Sequence, residues 1–75
     1  MDSDDLQRVR FAVVAIETAA VRMGVSTAEL VQRLEKHDLI EQRLFKFYDT
    51  LHTQSKEYVA DDIIEALKNR EGVGE

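Results

Sequence analysis

These 75 residues contain no cysteine and no proline, and only three glycines, two histidines and five aromatic side chains. Without cysteine, neither a disulfide nor a thiolate metal site can stabilise so small a domain. A chain of this length buries only about 60% of the surface that its unfolded form exposes. Stability must therefore come from close helix packing or from self-association. The longest apolar run, Phe11 to Ile16, is six residues, far short of the roughly 20 that span a bilayer. The N-terminal MDSDDLQR is acidic where a signal peptide needs a basic stretch. A cytoplasmic chain with no membrane partner is the expectation.

Positive charge is also scarce, with 10 Lys and Arg against 15 Asp and Glu, a net charge of −5 and a pI near 4.9. Duplex nucleic acid is repelled on average, so no nucleic-acid partner is expected. No third of the chain is basic, and the last 25 residues hold six acidic groups against three basic ones. That acidic end is read as steering toward a basic protein partner.

What is present is helical patterning, with 44% hydrophobic residues and no internal repeat or linker. The expected fold is all-α, a single domain of three to four short helices over residues 1–75, with residues 71–75 as a frayed tail. Ser3 is placed to cap the first helix, with Asp4 and Asp5 at the positive end of its dipole. The helix runs to about Met23. Leu6, Val9, Val13, Ile16 and Ala20 share one stripe, and Phe11, Val14, Thr18 and Val21 form a second beside it. Gly24 ends the helix. Ser26 and Glu29 then make a capping box for a second helix, and Val25 and Leu30 are spaced as a hydrophobic staple. The second helix stops near Lys36 to Asp38.

A third helix is expected from about Ile40 to Leu51, burying Ile40, Leu44, Phe47, Tyr48 and Leu51. The HTQS stretch interrupts the pattern, Lys56 to Val59 reads as a short extended piece, and Asp61 or Asp62 is placed to cap a last helix that turns Ile63, Ile64, Ala66 and Leu67 inward.

Chemistry-bearing constellations are weak. The stretch from Gly24 to Ile40 has the cadence of a helix-turn-helix, but its second helix opens with Thr27, Ala28 and Glu29 where a DNA-reading helix needs basic or amide groups. His52 with Asp49, Asp61 and Asp62 is imaginable as a metal or acid–base site. No second firm ligand accompanies it, and a histidine that hydrogen-bonds to pin the HTQS turn is favoured. His37, beside Asp38, is read as a solvated group at the negative end of its helix. No nucleophile triad, phosphate loop or dinucleotide fingerprint occurs. The expectation is a non-enzyme with no catalytic residue, cofactor or metal. Phe45 lies off the Ile40–Leu44–Leu51 face, so it is the expected exposed anchor of a protein interface, with Phe11, Val14 and Val21 from the first helix.

The run Phe47-Tyr48, Leu51-His52-Thr53-Gln54, Glu57-Tyr58 and Asp61-Asp62-Ile63 resembles the pattern F-Y-x-x-L-H-T-Q, E-Y, D-D-I of a small bacterial family catalogued as domain of unknown function 3791. The resemblance covers nearly the whole length. Ser55 departs from it, standing where the pattern often has glycine. The resemblance implies small partners encoded beside larger proteins, some similar to ADP-ribosyltransferase toxins, and so an antitoxin-like or accessory role. The leading expectation is a helical protein-interaction module that binds a neighbouring gene product or a second copy of itself as a homodimer. A helix-turn-helix regulator is the alternative.

Overall fold

The computed structural model describes the backbone of residues 3–73 and the side chains of residues 5–72. Every regular element among them is helical: α1 (Ser3–Met23), α2 (Thr27–Lys36), a π-helix (Ile40–Phe45), α3 (Tyr48–Leu51) and α4 (Lys56–Val73). The fold is all-α. No single helix among the described residues is long and apolar enough to cross a membrane.

The α1–α2 turn follows from three consecutive residues. Gly24 takes a φ of 72°, and the Gly24 and Val25 amides donate to the carbonyls of Val21 and Ala20. These two bonds are the Schellman pattern, which satisfies carbonyls that the helix end leaves open. Ser26 Oγ then accepts the Glu29 amide at 3.1 Å and starts α2. The Glu29 carboxylate, expected to reach back to the Ser26 N–H, lies 3.8 Å from Arg33 Nη1 one turn on. Val25 and Leu30 both join the core. The expected Ser3 cap, with Asp4 beside it, concerns side chains outside those described.

The core is assembled unevenly. From α1 come Ala12, Ala15, Ile16, Ala19 and Ala20, while the fully buried large side chains are Leu30 and Leu34 of α2, Leu44 of the π-helix, and Val59, Ile63 and Leu67 of α4. Small residues on α1 let α4, its main packing partner, approach closely. This corrects the expected stripe. Only its C-terminal half, Ile16 and Ala20, is covered, whereas Leu6, Val9 and Val13 stay 39–46% exposed.

Several further expectations are overturned between Ile40 and Asp62. The expected third helix is divided: the Lys46 amide donates to the Glu41 carbonyl five residues back, and α3 begins only at Tyr48. A π-turn holds one more residue than an α-turn, so the residues after it rotate off the 3.6-residue pattern. Phe45 therefore packs half-buried against the core, and Phe47, expected inside, is 40% exposed.

Residues 56–59 are the first turn of α4, not an extended piece. Ser55 is its cap, with Oγ accepting the Tyr58 amide at 3.1 Å and the carbonyl accepting the Val59 amide. Asp61 and Asp62 lie inside the helix, where they bind arginines. The helix continues through Val73, so residues 71–73 of the expected tail are helical, and Gly74 and Glu75 lie outside the described residues.

Three arginines from three different elements converge on α4. Arg22 of α1 donates to Asp61, Arg33 of α2 donates to both carboxylate oxygens of Glu71 at 2.7 and 2.6 Å, and Arg43 of the π-helix donates to both oxygens of Asp62 at 2.8 and 2.7 Å. Half of the six acidic groups in the last third are thus neutralised internally. The expected steering by that end is weakened accordingly.

Candidate functional site

The motif Phe47-Tyr48-x-x-Leu51-His52 builds a surface through helical spacing. Residues four apart meet on one side of a turn, and Tyr48 and His52 stack with ring centroids 4.9 Å apart and planes 14° from parallel. Leu51 is carried into the core. His52 Nδ1 lies 2.9 Å from the Tyr48 carbonyl oxygen. A carbonyl only accepts, so Nδ1 carries the proton and, in the neutral ring, Nε2 is left as the acceptor. Phe11 of α1 meets the Tyr48 ring edge-on at 5.2 Å, and the Arg8 guanidinium lies 5.4 Å from its centroid. Tyr48 is thus held by contacts from α1 and from its own helix.

These rings border a groove of about 410 Å³ between α1, the His52–Ser55 turn and the start of α4. Phe11, Val14, Tyr48 and Val59 supply its apolar lining, and His52 and Gln54 edge it beside the turn. Gln7, Arg10 and Lys56 complete its polar rim. Sequence reasoning missed these three. The signal was available for two of them, since Gln7, Arg10, Phe11 and Val14 recur at the three-to-four spacing of one helical face.

The other motif residues have structural work. Thr53 Oγ1 donates to the Thr50 carbonyl at 3.1 Å and the Gln54 amide to the Leu51 carbonyl at 2.9 Å, which closes the turn. The Glu57 carbonyl accepts from Arg22 at 3.3 Å. Asp61 and Asp62 hold arginines, Ile63 is core, and Tyr58 is 55% exposed. Of the expected interface set, Phe11 and Val14 meet in the groove, Val21 is 82% exposed away from it, and Phe45 faces a different hollow with Val9 and Glu41.

No group of three or more His, Asp or Glu residues able to hold a metal occurs among the described residues. Asp61 and Asp62, imagined as partners of His52, are bound to Arg22 and Arg43. His37 is the C-cap of α2, followed by Asp38 at a positive φ of 57°. The electrostatics centre instead on the arginine pairs. The hydrogen-bonded Arg33 guanidinium holds the Glu71 carboxyl below its ordinary range, and the same bond raises Arg33. Arg43 is raised by its bond to Asp62.

No curated protein and no solved structure matches the chain. A family model does: that described as Protein of unknown function (DUF3791) covers residues 10–70, which take in α1 from Arg10 onward, both turns and nearly all of α4, and the chain belongs to this family.

Proposed function

We propose that the chain is a non-enzymatic, cytoplasmic protein-interaction module that binds through the outward side of α1 and the adjoining groove. The observation that carries this reading is the inversion on α1, which buries its alanines and leaves Leu6, Val9, Val13, Val14 and Val21 exposed. Single exposed apolar residues are ordinary, but five on one helix support a surface for another macromolecule. An accessory or antitoxin-like role toward a larger, toxin-like protein is the finer form of the reading, and it rests on the family resemblance.

The test is a photo-crosslinking amino acid placed at Val13 and, as a control, at the exposed Lys68 of α4. In the native host the Val13 variant should give one discrete product and the Lys68 variant none. Equal labelling from both positions, or none from Val13, defeats the reading.

One observation favours the helix-turn-helix alternative. The axes of α1 and α2 are bent by 108°, inside the roughly 90–120° of that motif. Charge opposes it, since Arg33 is committed to Glu71 and Glu29 while Thr27, Ala28 and Glu29 open the helix. Sequence-selective binding of duplex DNA at submicromolar concentration near physiological salt would put this reading first.

A further inference from the structure

The groove beside His52 is locally unlike the acidic protein around it. Asp and Glu make up 15 of the 75 residues, yet none of the described residues lining the groove is acidic. Its rim carries Arg10 and Lys56 instead. Arg22, Arg33 and Arg43 are each engaged by a carboxylate, whereas neither Arg10 nor Lys56 has an ion-pair partner among the described residues. Between them the lining is apolar, with the edge-on Phe11–Tyr48 pair and Val14. We propose that this groove docks an acidic polypeptide segment bearing a large apolar side chain, which enters against Phe11, Val14 and Tyr48 while flanking carboxylates meet Arg10 and Lys56.

The inference rests on the interaction-module reading and names the chemistry of the partner. The volume of about 410 Å³ lies toward the small end of the roughly 300–1,000 Å³ of ligand sites, enough for one large side chain and not for a folded domain. The overall charge of −5 opposes an acidic partner at long range. At physiological salt, charges beyond about 8 Å are largely screened, so contact with the two rim cations decides the preference. Fixed opposite charges at a rim select partners by sign more than they add raw affinity.

The experiment uses the full chain, isotopically labelled, and two synthetic 12-residue peptides that share leucine and phenylalanine anchors, one flanked by glutamates and the other by lysines. The glutamate peptide should bind about tenfold tighter, as rim-charge selection implies, with amide shifts confined to the groove. The double variant Arg10→Glu, Lys56→Glu changes two exposed side chains and should reverse the order of the peptides while helical content stays constant. Equal affinities, binding of neither peptide at millimolar concentration, shifts centred on Leu6 and Val9, or a second copy of the chain seated in the groove would each overturn the assignment. If the peptides fail while the Val13 cross-link persists, the acidic-segment assignment falls and the interaction reading stands. If the cross-link also fails, both fall.

Discussion

Along α1 four of the five buried residues, Ala12, Ala15, Ala19 and Ala20, are small and at most 5% exposed, with Ile16 the exception in size, whereas the uncovered Leu6, Val9, Val13, Val14 and Val21 are large and at least 39% exposed. Composition alone ranks the two faces the other way round, because a valine or leucine gains more by burial than an alanine does. Packing reverses the ranking. The bulk that fills the interior comes largely from the leucines of α2 and the aliphatic side chains of α4, and apart from Ile16 it leaves room on the buried face of α1 only for methyl groups. The buried face is therefore limited by volume and the uncovered face by nothing within the domain, which is why larger side chains fit there.

The most direct way to break this comparison is to enlarge the inner face. Ala19 is fully buried, and Ala19→Leu adds three carbons where α1 meets the rest of the core. Overpacking of this kind costs about 1–3 kcal/mol, measured as a lower denaturant midpoint at unchanged slope. A neutral result would mean that the interior has slack, and the volume argument would lose its basis.

The turn that aims α1 at α2 should be nearly as sensitive. A Cβ added at Gly24 meets nothing within 4 Å, so Gly24→Ala isolates the conformational cost of a left-handed residue, about 1–2 kcal/mol. Ser26→Ala removes one cap bond and should cost about 1 kcal/mol. If chemical denaturation finds Gly24→Ala silent, the positive φ is not what holds the turn.

These two residues also show where the sequence was readable. Gly24, Ser26 and Leu30 act within one turn of themselves, so local rules were sufficient, and the all-α fold follows from the same kind of signal. The roles of Asp61 and Asp62 were not local. An aspartate preceding Ile63 looks like a cap until Arg22 and Arg43 arrive from 39 and 19 residues away. Ser55, which does cap α4, was passed over because Lys56 to Val59 read as extended and the aspartates beyond them offered a rival cap. The exchange between Phe45 and Phe47 was invisible for another reason, since a π-turn leaves little trace in composition and shifts every later residue on its element. Tyr48 and His52 were recognised as motif, but their groove needed Arg10 and Lys56, which lie 46 positions apart in the chain.

Outside the core, acid should expose the weaker ties. Arg33 holds the folded-state pKa of Glu71 below its unfolded value. The pair's contribution is therefore present above the ordinary glutamate range near pH 4.3 and is lost as pH falls through the depressed folded value. With both side chains about one-third exposed, that contribution should be about 0.2–1 kcal/mol. Glu71→Gln should lower stability by this amount at neutral pH and converge with the parent chain in acid. A constant gap across the whole acid limb would show that the helix end depends on Glu71 packing and not on its charge.

The smallest effect is expected on the outer face, and it is the most revealing. Val21 is 82% exposed, and its Cβ branching makes it a poorer helix former than an unbranched residue. Replacing it by glutamine removes no internal contact and improves propensity slightly, so Val21→Gln should shift stability by no more than about 0.5 kcal/mol. The same change must be measured over a wide range of protein concentration. For a chain whose outer face is uncovered, the unfolding midpoint of parent and variant will be independent of concentration. If the parent alone gains stability on concentration, Val21 is being covered by a second copy, because mass action stabilises only what associates in the folded state. A large loss at every concentration would instead place Val21 inside the domain's own packing, and the contrast between the two faces of α1 would fail at its most exposed point.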